Sequence, residues 1–339
     1  MKSLNEMLEN MVSNQGSDLH LTVGSPPRIR INGNLTPTDD DKITSDKLKE
    51  LLQNELTKNR LEQLSNNKDI DFSIGIAGIS RFRVNIFKQR GNFAATFRRL
   101  PYEIPSLESL NLPDTIGNLT LHKKGLILIT GGTGSGKSTT MAALIQKISN
   151  ESKGHIITIE DPIEYLYEHS KSLVNQREIG SDTSHFKASL KSVLRQDPDV
   201  VAIGELRDVD SMSAALTIAE TGHLVLGTLH TNNAAGTITR LINAFSPDKQ
   251  NIIRTTLSLS LIAVISQQLI PNLNNARSLA LEILINTSSI KSLIRENKIH
   301  QIENYLLSGA KDGMIRMDDS ILSLYKDNNI SKEEALNFS

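Results

Sequence analysis

The sequence contains no cysteine, which excludes disulfides, thiolate nucleophiles and cysteine-based zinc sites and is compatible with the cytosol. It also lacks a surplus of basic charge: 37 Lys and Arg stand against 38 Asp and Glu, for a net charge of −1. A duplex-binding surface usually carries an excess of cations, so no nucleic acid partner is expected. No run approaches the roughly 18 apolar residues of a membrane-spanning helix, and the opening MKSLNEMLENMVSNQG lacks the long apolar centre of a secretory signal. Any membrane role is expected to be peripheral. Internal repeats and low-complexity tracts are missing as well. What is there is ordinary for a globular chain, 38% hydrophobic and 22% charged over 339 residues, long enough for two domains.

The stretch around which the rest is organised is 126–140, LILITGGTGSGKSTT. An apolar run, a Gly-rich turn and then Lys, Ser and Thr predict a buried parallel strand, a phosphate-binding loop and the first turn of a helix. Gly131, Gly134 and Gly136 let the backbone bend so that N–H groups point inward at phosphate oxygens, and the helix N-terminus adds partial positive charge. The nucleotide-binding residues expected are Gly131, Gly132, Thr133, Gly134, Ser135, Gly136, Lys137, Ser138 and Thr139. Lys137 would reach the β and γ phosphates and Ser138 would hold Mg²⁺. Met141, Leu144, Ile145 and Ile148 continue at helical spacing.

Before this stretch, 1–100 reads as a small α+β domain. Leu4, Met7, Leu8 and Met11 predict a helix with one buried face. Period-two alternation from Asp18 and Asn32-Gly33 after Arg28 to Ile31 predict a hairpin. A second helix is expected over 45–64, then alternating strands with Ile70, Phe72 and Ile74, with Phe82, Val84 and Ile86, and over 93–100. One sheet face is apolar, and the other carries Arg81, Arg83, Arg98 and Arg99. Pro101, Pro105 and Pro113 mark 101–113 as an interdomain linker with a short helical piece around Leu107 to Leu110. From 114 to 339, apolar strands at 155–159, 200–203 and 224–229 alternate with helical patterns. This predicts a doubly wound α/β sheet whose ligand site lies at the carboxyl ends of the strands. After Ser246-Pro247 the chain reads as mostly helical, with a strand over 279–285 and a last helix opened by Ser331 and Glu334.

Polar residues just past the strand ends then become a constellation. Glu160, Asp161 and Glu164 follow the first of these strands. Asp161, Pro162 and Glu164 also fit the start of a helix with a capping box, but three carboxylates facing a phosphate loop point to a cation or a water network, with Glu164 or Glu160 orienting the attacking water. Glu205 ends the strand 200–203, in the place of the Walker B acid, where it acts on water or on Mg²⁺ through water. Gly204 stands where many phosphate-loop proteins carry Asp. His223 and His230 lie at opposite ends of the strand 224–229, roughly 23 Å apart in extended chain, so they cannot share a metal. His230, at the carboxyl end, is the candidate for contact with the γ-phosphate.

These residues in this order resemble the secretion-motor ATPases of type II secretion and type IV pilus systems. The resemblance runs through GSDLHLTVGSPPRIRINGNL, SRFRVNIF, the Walker A motif, the Asp box ITIEDPIEY, LVNQREIG, LRQDPDVVAIGELRD as Walker B, and the His box LTIAETGHLVLGTLHTNNA. Residues 289–296, SIKSLIRE, resemble the AIRNLIRE motif of the pilus-retraction branch, with Ser289, Lys291 and Ser292 in place of Ala, Arg and Asn. The resemblance implies a PAS-like N-terminal domain, a RecA-like ATPase domain and a homo-hexameric ring. It implies ATP and Mg²⁺, and arginines that reach the nucleotide at a subunit interface, in this chain Arg81, Arg83 and Arg98, with Arg195 behind them. It also implies an inner-membrane pilus platform protein as partner, the wider pilus machinery, and work at the inner face of the cytoplasmic membrane. A pilus assembly or type II secretion ATPase, a non-catalytic ring member and a RecA-like nucleic-acid motor are the alternatives.

Overall fold

A computed structural model of the chain describes residues 2–39, 41–67, 69–76, 78–100, 103–274 and 276–338. It divides into two compact units, Met1–Glu103 with Pro162–Leu166, and Ile104–Asp161 with Tyr167–Ser339. Pro101, where the expected linker begins, lies outside the described residues.

The first unit opens with α1 (Leu4–Ser13), closed at its start by reciprocal bonds between Ser3 and Glu6, with Leu4, Met7, Leu8 and Met11 buried as their spacing predicts. Strands β1 (Asp18–Thr22), β2 (Arg28–Ile31) and β3 (Asn34–Pro37) follow. Asn32 and Gly33 turn between the last two at φ of 46° and 83°, the positive values a type I′ hairpin requires. The single helix expected over 45–64 is two, α2 (Ser45–Leu52) and α3 (Lys58–Asn67). Thr57 makes the break. Its Oγ1 accepts the Arg60 N–H at 3.4 Å, opening a new helix. Arg60 in turn donates to the Glu55 carbonyl at 3.0 Å and lies 3.6 Å over the Phe72 ring. Strands β4 (Asp69–Ile76), β5 (Ser80–Gln89) and β6 (Asn92–Arg99) complete a sheet of order β3-β2-β1-β6-β5-β4, antiparallel throughout. Phe82, Val84, Ile86 and Phe97 pack with Leu8, Met11, Leu48 and Leu52 of the helices. Strand side chains alternate in direction, so Arg81, Arg83 and Arg98 are carried on the other face.

The second unit runs through α4 (Asp114–Asn118), β7 (Gly125–Thr130), α5 (Lys137–Glu151), β8 (His155–Glu160), β9 (Leu173–Glu178), α6 (Phe186–Val193), β10 (Val200–Ile203), α7 (Val209–Glu220) and β11 (Leu224–Leu229). It continues with α8 (Ala234–Asn243), α9 (Gln250–Ser260), β12 (Leu261–Pro271), β13 (Arg277–Ile285), α10 (Ser288–Arg295), α11 (Ile302–Ser308), α12 (Met317–Lys326) and α13 (Lys332–Phe338). The sheet order is β13-β12-β7-β11-β10-β8-β9. Every neighbouring pair is parallel except β12 with β13. All six residues of β7 are buried, and they feed both faces. Leu126 and Leu128 join Met212, Leu216, Ile238 and Leu257, while Ile127 and Ile129 join Met141, Leu144, Ile145 and Ile148 of α5. A sheet covered on both sides is why these strands read as unbroken apolar runs.

Three local differences from expectation have physical causes. The short helix expected around Leu107 to Leu110 is a pair of turns, Leu110 N–H to Ser106 O at 3.1 Å and Asn111 N–H to Glu108 O at 2.9 Å, ended by Asn111 at φ 53°. Leu107 and Leu112 are buried in the core of the second unit. Strand β9 escapes detection because it is the sheet's edge, with much of LVNQRE exposed or half-buried. Strand β12 falls in the region expected to be mostly helical; its run LIAVISQQ is largely buried, and periodicity does not separate such a run from a buried helix.

Candidate functional site

The parallel strands β7, β11, β10 and β8 stand side by side, so their carboxyl ends share one edge of the sheet. From that edge emerge the loop 131–136, His230, Glu205 and the pair Glu160 and Asp161. The loop is shaped by close approach. A Cβ on Gly131, which sits at φ 143°, would lie 2.3 Å from the Gln267 carbonyl oxygen and 2.5 Å from the Ser135 hydroxyl. Gly134 and Gly136 are also at positive φ, and Gly136 precedes the first turn of α5. Lys137 is buried and folds back over the loop, its Nζ donating to the carbonyls of Gly131 at 2.9 Å and Gly132 at 2.8 Å. The Ser135 hydroxyl is buried without a hydrogen-bond partner. A buried donor of that kind inside a loop of exposed Gly132, Thr133 and Gly134 fits a cradle for an anion.

Strand β12 braces this cradle from the side. Thr130, at the end of β7, donates to the Ser266 hydroxyl at 2.9 Å, and Gln267 Nε2 donates to Thr140 Oγ1 of α5 at 2.8 Å. Beyond it, a cleft of about 720 Å³ is lined by Gly136, Thr139, Leu269, Arg277, Leu279 and Asn329 among others. None of these bracing residues was legible in advance, because β12 itself was not.

At the neighbouring strand tips, Glu160 is buried and accepts from Thr158 Oγ1 at 2.5 Å and Gln176 Nε2 at 3.1 Å. Asp161 is exposed, and no helix begins there, so the capping reading of Asp161, Pro162 and Glu164 does not apply. Glu164 is half-buried in the segment that groups with the first unit. Gly204 is closely packed: a Cβ there would meet the Ile159 carbonyl at 3.3 Å and Glu160 Cα at 3.4 Å. The next residue, Glu205, is held between two side chains, Oε1 lying 3.3 Å from His230 Nε2 and Oε2 accepting from Arg207 Nε at 2.8 Å. Arg207 reaches on to Asp161 Oδ2 at 3.4 Å. Its position two residues after Glu205 is the only signal the sequence offers for it.

Behind His230, the loop to α8 is anchored by Glu282 of β13, whose Oε1 accepts the Ala234 N–H at 2.7 Å. Burial pushes the Glu282 carboxyl above its ordinary range, and the nearby Glu303 and Asp318 add to this. His223, at the far end of β11, caps α7 instead, with Nδ1 3.1 Å from the Ile218 carbonyl oxygen.

The arginines of the first unit have partners within it. Arg83 is bidentate to Asp71, with Nε 3.1 Å from Oδ1 and Nη2 2.5 Å from Oδ2. Arg98 Nε donates to Asp18 Oδ1 at 2.8 Å, and Arg81 bonds Ser73 and, at 3.4 Å, the Ile163 carbonyl. Asp18 is buried, which would raise its pKa, yet the bonds from Arg98 and Ser17 and the Arg98 charge hold it below the usual carboxylate range. Arg195 is exposed and bonds the Lys191 carbonyl at 3.3 Å.

The chain is also similar to known proteins over nearly its whole length. A family model described as Type II/IV secretion system protein matches residues 1–322. The chain is 40% identical over 332 residues to the type IV pilus retraction ATPase PilT of Pseudomonas aeruginosa, covering 98% of this chain and 96% of that protein. It is 39% identical over 332 residues to the type IV pilus ATPase PilU of the same organism, covering 98% and 87%. A crystal structure of the pilus retraction motor PilT with bound ADP matches at a TM-score of 0.94 and 44% identity, over 100% of this chain and 97% of that one. With a phosphate loop, acids at the adjacent strand tips and matches over nearly its whole length, the chain belongs to the type II/IV secretion system proteins and is an ATPase of RecA-like fold within that family.

Proposed function

We propose that the chain is a Mg²⁺-dependent ATPase motor, working as a ring of six at the inner face of the cytoplasmic membrane, that drives type IV pilus retraction. The observation that carries the catalytic part is the shared edge of β7, β11, β10 and β8, from which the loop leading to Lys137 follows β7, His230 follows β11 and Glu205 follows β10. Lys137 exchanges its two loop carbonyls for phosphate oxygens. Glu205 orients the water for in-line attack on the γ-phosphate, with Glu160 and Glu164 as further acids of the Asp box, and His230 reads whether the γ-phosphate is present. The cleft beside α5 takes the base and ribose.

Mg²⁺ fits the donors available. Ser138 in the first turn of α5 and Glu205 offer hard oxygen ligands, and this ion takes most of its shell from phosphates and water. Among the described residues, no group of three or more His, Asp or Glu could hold a metal alone. With Ser138 and Glu205 as the residues that would hold it, the ion would supply positive charge to offset that of the phosphate oxygens. Arg81, Arg83 and Arg98 supply a rigid fork of donors to a neighbouring subunit's nucleotide once their partners in the first unit release them. Hydrolysis then changes the angle between the two domains, and the motion passes to a membrane platform protein. No helix among the described residues is long and apolar enough to cross a membrane. Retraction rather than assembly is supported by relatives named for retraction at high coverage.

The test has two parts. Lys137→Ala should abolish ATP turnover by the purified chain, and Glu205→Gln should bind ATP but hydrolyse it at least about tenfold more slowly. Deleting the gene should leave cells with excess surface pili and no twitching. Loss of pili would instead indicate assembly, and full turnover by Lys137→Ala would rule out hydrolysis at this phosphate loop.

A further inference from the structure

Arg207 lies two residues past Glu205, and the backbone from Gly204 to Leu206 is pinned on both sides. Gly204 N–H donates to the Ile159 carbonyl at 2.9 Å and Leu206 N–H to the Thr228 carbonyl at 2.9 Å, while Thr228 Oγ1 donates to the Gly204 carbonyl at 2.5 Å. Leu206 is 2% exposed and turns into the core. Alternate side chains of an extended segment face opposite ways, so Glu205 and Arg207 emerge together on the side away from that core.

The contacts then divide one carboxylate between two partners. Arg207 takes Oε2 of Glu205 with Nε and reaches Asp161 with Nη1, and His230 faces Oε1. A carboxylate without such a contact rotates and offers either oxygen. We propose that Arg207 is a positioning residue of the hydrolytic centre: its planar fork fixes Oε2, presents Oε1 to His230 and the attacking water, and ties the tip of β10 to the tip of β8 through Asp161. Lys in the same place is a point charge on a flexible stem and cannot hold both acids in one plane. The inference rests on the reading that Glu205 orients the water.

Because the Arg207 side chain is 56% exposed and Asp161 43%, these ion pairs contribute little to folding, and a change in rate is separable from a change in stability. In the full chain, Arg207→Ala should lower kcat about tenfold or more, leave KM for ATP within about twofold and leave the melting temperature nearly unchanged. Guanidinium chloride at about 20 mM, far below denaturing concentrations, should restore part of the kcat of Arg207→Ala and none of that of Arg207→Lys, whose stem fills the site. Arg207→Ala combined with Asp161→Asn should be no slower than Arg207→Ala alone.

Wild-type kcat in Arg207→Ala would overturn the proposal, as would a loss carried by KM or one that guanidinium leaves untouched. Should Arg207→Ala not fold, the same kcat and KM comparison on Arg207→Gln decides. A slow Glu205→Gln beside a fast Arg207→Ala sinks this inference alone. A fast Glu205→Gln sinks the reading beneath it.

Discussion

The Nε2 atom of His230 lies 3.3 Å from Oε1 of Glu205, although the two residues belong to different motifs and are separated by all of α7 and β11. They meet because β10 and β11 are parallel neighbours in register, Val200 opposite Leu224 and Ile203 opposite Gly227. On the roles proposed above, the group that would sense the γ-phosphate is thereby in contact with the group that would activate water. His230→Gln should therefore lower kcat about tenfold, and the double variant with Glu205→Gln should be no slower than Glu205→Gln alone. Steady-state ATPase assays on the three proteins check this, and additive losses would mean that the two residues act independently.

Gly131 is fixed by space and by backbone angle together. An added methyl would meet the Gln267 carbonyl at 2.3 Å, where no flexible side chain can yield, and the φ of 143° is one that L-residues with a Cβ rarely adopt. Gly131→Ala should push the loop away from β12 and weaken adenine nucleotide binding by about tenfold or more, a shift of about 1.4 kcal/mol. Titration with a fluorescent ATP analogue measures it. Gly132→Ala, where an added Cβ meets nothing within 4 Å, is the matched control and should bind nearly normally.

Asp18 gives the first unit a pH dependence with a defined sign. Its folded pKa is lowered because the bonds from Arg98 and Ser17 outweigh burial. The stabilisation is thus present above the unfolded-state pKa and is lost as pH falls through the lowered folded value. Asp18→Asn should cost about 1–2 kcal/mol at neutral pH and melt with a flatter pH profile in the acid range. Thermal melts of the full chain between pH 3 and 7 test both. The same variant frees Arg98, so its ATPase rate also reports whether that arginine needs Asp18 to be placed.

Much of this protein is local in origin. The phosphate loop declares itself because Gly, Lys and Ser are demanded at fixed spacing by a backbone that must curl around an anion. The α1 face follows from Leu4, Met7, Leu8 and Met11, and the β2–β3 turn from Asn32-Gly33. The apolar strands and the acids at their ends are likewise set by one-dimensional pattern. Sheet order is different. The chain visits β7, β8, β10 and β11 in that order, yet the sheet places β11 beside β7 and β10 between β11 and β8. Pairings such as Glu205 with His230, or Arg207 with Asp161, therefore depend on long-range register that spacing does not encode. Strand β12 shows the same limit, since a strand buried on both faces has no period, and with it Gln267 and Ser266 stayed hidden beside the loop they brace. The residue types that can grip a phosphate were written into the chain; which of them touch was settled by the order of strands, because side chains far apart in sequence meet only where packing of the whole sheet brings their backbones together.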